Sequence, residues 1–365
     1  MYISSIDLSD FRNYHALSLE FDPGNNIIFG DNAQGKTNLL EACFVSATTR
    51  SHRGSKDSEL ISFGAEEAHI RTKVEKQGRE TVIDFHLKQG KKKGIAVNHV
   101  PLKRSADLFG ILNIILFSPE DLNIIKEGPS ERRRFMDMEL CQLDRVYLSD
   151  LTNYRKALNQ RNALLKDLYY DKSLEGTLDA WDIQLVNYGK KLIGRRAKFI
   201  EDLSPIVSEL HTEISGRKEN PVVAYEPAVS EKAFEEALFM ARDRDIRLGS
   251  TSVGPHRDDI SFAIEGRDIR TYGSEGQKRT CALSLKLSEI RLVESLIDDK
   301  PVLLLDDVLS ELDRSRQNLL LSSLSDVQTI ITCTGLDDFV ENRFHTDRLI
   351  HVVGGTAEVV EHDEY

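Results

Sequence analysis

Two segments carry the residue types that phosphate and metal chemistry requires. They are Gly30-Asp31-Asn32-Ala33-Gln34-Gly35-Lys36-Thr37 near one end and Leu303-Leu304-Leu305-Asp306-Asp307 near the other. In the first, glycines let backbone N–H groups wrap phosphate oxygens, and the helix start after Gly35 adds a positive dipole end. Lys36 is placed to reach the β- and γ-phosphates of ATP, and the Thr37 hydroxyl to ligate Mg²⁺. All eight residues from Gly30 to Thr37 are nucleotide-binding candidates. The second segment is an apolar strand ending in two carboxylates, the form of a central parallel strand that delivers acids to its C-terminal edge. Asp306 is the candidate Mg²⁺ ligand beside Thr37. Asp307 is the candidate catalytic group that orients and deprotonates water, the competing reading being a solvated helix cap. An Asp is one methylene shorter than a Glu, so slow hydrolysis is expected.

A third element, Ser274-Glu275-Gly276-Gln277, precedes the helical run Thr280 to Leu296. Ser and Gly at a helix start offer a second phosphate-recognition edge. The same four residues fit a Ser-x-x-Gln capping box, and taken alone that plainer reading wins. Its position ahead of the acidic strand favours the phosphate reading.

These segments need particular elements behind them. Asn26 to Phe29 reads as a short apolar strand running into the glycine loop, and Asn38 to Val45 as the helix after it. Further strands are expected at Ile3 to Leu8, Leu17 to Phe21, Ala68 to Val74, Thr81 to Leu87 and Ile111 to Phe117, an α/β fold with a considerable antiparallel component. From Pro119 the pattern turns helical. Leu151, Tyr154, Leu158, Leu165 and Leu168, then Trp181, Leu185, Tyr188, Leu192 and Phe199, predict two paired helices of about 25 to 35 residues. Gly176 separates them, and Ser204-Pro205 is expected to kink or restart the second. The division read from the sequence is 1–118 as the first part of an ATPase lobe, 119–250 as a helical lobe with short antiparallel helices, and 251–365 completing the head.

At 365 residues and 40% hydrophobic content, two lobes are expected. A net charge of -12 argues against a uniformly basic surface but allows one basic groove. Cys43, Cys141, Cys281 and Cys333 lack C-x-x-C spacing, which speaks against a cysteine zinc site or a disulfide framework. No run approaches a membrane span and the first residues lack a secretion signal, so a cytoplasmic chain is expected. The acidic tail after Val360 reads as frayed.

Ser274 to Gln277, then Leu303 to Asp307, then Leu309-Ser310-Glu311-Leu312-Asp313, resemble the signature motif, Walker B strand and D-loop of ABC-type ATPases. Asp10-Phe11-Arg12-Asn13-Tyr14, Gly30 to Glu41, Ser130 to Asp137, Gly254 to Asp259 and Tyr272 to Arg279 resemble the RecF family of SMC-like ATPases, from end to end. The resemblance implies an ABC-type ATPase head, a mixed sheet with a P-loop core and an inserted, mainly helical second lobe. It implies ATP and Mg²⁺ as cofactors and an ATP-dependent homodimer in which Ser274 and Gly276 of one chain close over Lys36 of the other. Ser274, Gly276 and Gln277 thereby become nucleotide-binding candidates, Ser274 with a catalytic part, and Arg12 and Asn13 match a position that approaches the nucleotide. Two departures stand out: Phe117-Ser118-Pro119-Glu120-Asp121 occupies the place of a Gln loop, and Thr332-Cys333-Thr334 that of a sensor His.

The resemblance further implies recombination mediation at gaps or single/double-strand junctions in repair, replication restart and the SOS response, with RecR and RecO as partners. For DNA the preferred contacts are Arg50, Arg53 and Lys56. Lys91 to Lys93, Arg132 to Arg134 and the cations between Lys190 and Lys198 also come into view, although charge runs are usually solvated faces. No aromatic-interleaved strand suggests base reading, so phosphates and shape are the expected target. His256-Arg257-Asp258-Asp259 reads as a turn or an ion-pair site between lobes ahead of a metal site. Two other classes remain: an ABC transporter ATPase subunit, and a small-molecule kinase that leaves the signature unexplained.

Overall fold

The computed structural model describes residues 1–168, 170–216, 219–322, 324, 326–336 and 344–360; the tail after Val360 lies outside them. The chain divides into two compact units, Met1–Asp121 with Glu289–Tyr365, and Leu122–Ser288.

The first unit holds two six-stranded sheets. One is antiparallel, in the order β2 (Tyr14–Glu20), β1 (Tyr2–Phe11), β4 (Glu67–Lys76), β5 (Arg79–Lys88), β6 (Gly94–Val97), β7 (Val100–Pro101). Alternation builds it: Ala68, Ile70, Thr72 and Val74 of β4 are buried, while His69 and Arg71 face outward. The other runs β15 (Thr356–Val360), β14 (Arg348–Val353), β3 (Asn25–Phe29), β13 (Thr329–Cys333), β12 (Val302–Asp306), β8 (Ile114–Phe117), and every pair except β14–β15 is parallel. Its central strands β12 and β13 are buried at every residue, as expected for a parallel sheet covered on both faces. Helix α1 (Lys36–Thr48) packs against β4 and β5 of one sheet and against β8, β12 and β13 of the other. This explains why all but two of its residues are buried, and why it lacks the polar face of a surface helix. A short helix, α10 (Arg314–Ser322), follows β12.

The second unit is mainly helical. It comprises α2 (Leu122–Lys126), α3 (Pro129–Leu143), α4 (Arg145–Asp167), α5 (Leu178–Ile214), α6 (Phe234–Met240), α7 (Arg242–Leu248), α8 (Ile269–Tyr272) and the start of α9 (Glu275–Ile297). A three-stranded antiparallel sheet joins them, β11 (Arg267–Asp268), β10 (Asp259–Ile264), β9 (Pro221–Glu226). Helices α4 and α5 form the expected pair, with the Asp144 carboxylate capping α4 by accepting from the Val146 and Tyr147 amides at 2.8 and 3.1 Å. Of the two outcomes expected at Ser204-Pro205, the helix does not restart: α5 continues for 37 residues with Pro205 inside it. Leu203 and Val207, both 0% exposed, anchor the helix on either side of the missing N–H and offset its loss.

The boundary read from the sequence at residue 250 also differs from the contact-defined one. β10 pairs with β9 from Asp259↔Glu226 to Ile264↔Pro221, placing residues 251–288 in the helical unit. Buried ion pairs act to the same end. Arg132 grips Asp259 through Nε and Nη2 at 2.6 and 3.0 Å, and Arg196 donates to Asp258 at 2.8 Å and to Asp137 at 2.9 Å. Burial alone would lower the Arg196 pKa, but Tyr147, Asp137 and Asp258 around it hold it well above the ordinary value. Removing Arg196 would leave the buried Asp258 carboxylate without its cation, a loss of about 3–5 kcal/mol.

No helix among the described residues is long and apolar enough to cross a membrane.

Candidate nucleotide-binding site

The first unit brings the two distant segments together. β3 ends at Phe29, and the loop begins at Gly30 with φ 148°, where a Cβ would lie 2.4 Å from the Val352 carbonyl oxygen. Gly35 has φ 120°, and a Cβ there would meet Asn13 Nδ2 at 2.5 Å. Only glycine fits both places. Lys36, 7% exposed, donates from Nζ to the carbonyls of Gly30 and Asp31 at 2.6 and 2.7 Å, so its ammonium lies inside the curl of the loop. Thr37 Oγ1 donates to Asp306 Oδ1 at 2.8 Å, across 269 residues of sequence.

The acidic strand is held from its neighbour. Thr332 of β13 stands in register with Asp306 of β12 and donates to Asp306 Oδ1 at 2.9 Å. The same hydroxyl accepts the Asp307 amide at 3.0 Å. Asp307 has φ 51°, an unusual conformation for a residue with a Cβ, so this bond helps hold the turn that aims its carboxylate. Thr332 lies within the sheet and braces both acids.

Arg12 and Asn13 form the two-residue turn of the β1–β2 hairpin, closed by the Phe11↔Tyr14 pair. Arg12 has φ 53° and is bidentate to Glu41 on α1, Nε to Oε2 at 2.8 Å and Nη2 to Oε1 at 2.9 Å. It also reaches the Glu59 carbonyl at 2.8 Å and Ser55 at 2.7 Å. Burial would raise the Glu41 pKa, but hydrogen bonds from Arg12 and Ser51 outweigh it and hold the carboxyl below its usual range. Asn13 donates to the Gln34 carbonyl at 2.9 Å and accepts from Asn38 at 2.8 Å, while the Tyr14 hydroxyl donates to the Gly35 carbonyl at 3.0 Å. On the loop's other flank, the Gly354 amide donates to Gln34 Oε1 at 2.7 Å and the Gly355 amide to the Gln34 carbonyl at 3.2 Å.

Tyr14 and Glu41 appear in the sequence only as members of family-like segments with no role assigned, and the Gly354-Gly355 turn was not singled out. Adjacent glycines between two short apolar runs are a hairpin signal, but nothing local says that this turn lands on the phosphate loop. His52 also lies here; burial holds its imidazole below the ordinary pKa against the pull of Glu41 and Asp306. In the Gln-loop position, Glu120 is exposed.

In the second unit, Ser274 and Gln277 make a reciprocal capping box at the start of α9. The Ser274 amide donates to Gln277 Oε1 at 2.8 Å, and the Gln277 amide to Ser274 Oγ at 3.2 Å. Gln277 Nε2 donates to Glu219 at 2.9 Å. Ser274 and Gly276 are exposed. The capping geometry is therefore present, and it leaves the outer edge of the turn open to solvent.

Arg50, Arg53 and Lys56 all lie exposed in the segment after α1. Of the other cations, Lys93 donates to the Thr49 carbonyl at 2.5 Å and to Asp57 at 2.9 Å, tying that segment down. Those between Lys190 and Lys198 contact acids: Lys190 meets Glu235, Lys191 and Arg195 meet Asp150, and Lys198 meets Asp202. His256 makes structural bonds, Nδ1 with the Tyr154 hydroxyl at 2.7 Å and Nε2 with the Thr251 carbonyl at 3.0 Å. Burial lowers its pKa to about 4.

Known proteins bear out the fold and the family. The family model described as the RecF/RecN/SMC N terminal domain matches residues 2–356. The chain is 59% identical over 361 residues to the "DNA replication and repair protein RecF" of Agathobacter rectalis, covering 99% of this chain and 100% of that one. A solved structure of the recombination mediator protein RecF with ATP, described as part of the RecFOR pathway, superposes with a TM-score of 0.92 at 38% identity, covering 99% of this chain and 98% of that one. An SMC head bound to the C-winged helix domain of ScpA superposes with a TM-score of 0.59 at 18% identity, over 99% of this chain and 97% of the other, and shares the fold. The chain belongs to the RecF family of ABC-type, SMC-like ATPases.

Proposed function

We propose that this protein is an ATP-binding recombination mediator of DNA replication and repair that works as an ATP-gated homodimer in the cytoplasm. The observation that carries the reading is the 2.8 Å bond between the Thr37 hydroxyl and the Asp306 carboxylate, which joins the phosphate loop to the acidic strand. Both are hard oxygen donors and fit Mg²⁺, which would be held there and neutralise phosphate charge. Lys36 and the amides of Gly30 to Thr37 bind and orient the ATP phosphates. Asn13, fixed by the Arg12–Glu41 pair, positions the loop. Asp307 takes the proton of the attacking water, and its short side chain keeps turnover slow.

Ser274 and Gly276, exposed at the start of α9, supply the lid for the γ-phosphate held by a second copy. ATP thereby becomes part of the dimer interface, and hydrolysis releases it. Arg50, Arg53 and Lys56 contact DNA phosphates at gaps or single/double-strand junctions, with RecR and RecO as partners by relationship to the RecFOR protein. The transporter-subunit reading is not favoured, because relatives 56–59% identical over nearly the whole chain and two solved structures at 38% identity are RecF proteins. Sedimentation velocity with defined gapped DNA tests the function. The expected result is a dimer on DNA with ATP and a monomer without it; a monomer under both conditions would contradict the reading.

A further inference from the structure

The outer face of the antiparallel sheet carries a constellation unrelated to the nucleotide. On β4 and β5, His69 stands directly opposite His86, and Glu67, two residues before His69, shares its face. The two imidazoles stack with centroids 4.4 Å apart and planes 7° from parallel, and Glu67 Oε2 lies 3.1 Å from His86 Nε2. One ligand atom from each of the three residues falls within 4.8 Å of the others, and no other His, Cys, Asp or Glu group among the described residues does so.

The row continues across four strands. Ser9 of β1 is opposite His69, and Gly94 of β6 is opposite His86, so the pair is flanked by small residues. A groove of about 560 Å³ runs past them, lined also by Arg71 and Asp84. A stacked histidine pair and a Glu67–Lys88 ion pair, with Nζ 2.8 Å from Oε2, could be plain surface chemistry. That account explains each contact but not why two imidazoles and a carboxylate converge where both flanks have been cleared.

We propose that Glu67, His69 and His86 form a binding site for a divalent first-row transition metal ion of the Zn²⁺ or Ni²⁺ type. Two imidazole nitrogens and one carboxylate oxygen suit such borderline ions. Bonds of about 2.0–2.2 Å require the ligand atoms to draw together by roughly 1 Å, within reach of exposed side-chain torsions. Lys88 gives up its ion pair as Glu67 turns to the metal. The remaining coordination positions open on the groove, where water or an oxygen ligand completes the shell.

Calorimetric titration of the chelator-stripped full-length protein with ZnCl₂, without nucleotide, tests the proposal. Wild type is expected to bind one equivalent with a Kd in the micromolar range. His69→Ala and His86→Ala should each weaken binding by about ten-fold or more while leaving ATP affinity unchanged, which verifies that they fold. Lys88→Met should tighten binding by removing the competing cation. Absence of saturable one-equivalent binding, or wild-type affinity in either histidine variant, would overturn the site. Unchanged affinity in Lys88→Met would remove Glu67 from it.

Discussion

The phosphate loop and the Ser274 turn are both glycine-containing helix starts, yet they are held in opposite ways. The loop is gripped by distant parts of the chain: Asn13 and Tyr14 on one flank, Gly354 and Gly355 on the other, and Asp306 at its end. The Ser274 turn is closed by its own first helical turn, its distant ties running from Gln277 to Glu219 and from Glu275 to Lys126, while Ser274 and Gly276 are exposed. A surface that binds by backbone amides must be pre-formed to tenths of an ångström, so it is braced. On the proposed reading the ligand of the Ser274 edge arrives on a second copy, and such an edge has to stay open.

Three substitutions bear on the braced side of that contrast. Lys36→Ala removes the ammonium inside the loop and should lower ATP affinity about 100-fold or more, measured by nucleotide titration; retained affinity would count against the loop assignment. Asp307→Asn should leave ATP binding intact, lower turnover about 100-fold and accumulate the dimer, so wild-type turnover would remove its role as base. Gly355→Ala places a Cβ 2.2 Å from the Asn13 carbonyl oxygen at a φ of +80°. It should displace the bracing turn and cost about ten-fold in ATP affinity, through a residue outside the Gly30 to Thr37 loop. An unaffected affinity would show that the loop keeps its shape without this brace.

The smallest effect concerns pH and the second unit. His256 has a folded pKa of about 4 against an ordinary 6.5, so its neutral form is favoured by folding. Its contribution is complete above pH 6.5 and is lost as pH falls from there towards 4, at most about 3 kcal/mol. His256→Asn, which keeps an acceptor for the Tyr154 hydroxyl, should flatten the decline in unfolding free energy over that window; an unchanged slope would assign the decline elsewhere.

How much of this was legible depends on range. The glycine loop at a strand-to-helix junction, the apolar strand ending in Asp306-Asp307 and the paired helices are local patterns, and the fold class followed from them. Thr332 was noticed only as a departure from a sensor His. Its bond to Asp306 depends on parallel register between strands about 26 residues apart, which hydrophobic pattern does not specify. The grip of Gly354 on Gln34 joins residues 320 apart and left no local trace. The unit boundary near 250 shifted for a similar reason: β9, a six-residue strand following a long helix, is too short to announce that it pairs with β10. Arg12 was placed near the nucleotide by resemblance alone; the structure adds that its guanidinium engages Glu41, Glu59 and Ser55, partners that no local pattern announces.

The central claim is that one chain holds ATP and a second copy closes it. Sedimentation equilibrium of Ser274→Arg with ATP and Mg²⁺, beside an ATP titration of the same variant, tests it most directly. The predicted result is wild-type monomer affinity for ATP with no ATP-dependent dimer. A normal ATP-dependent dimer from Ser274→Arg would contradict the shared site.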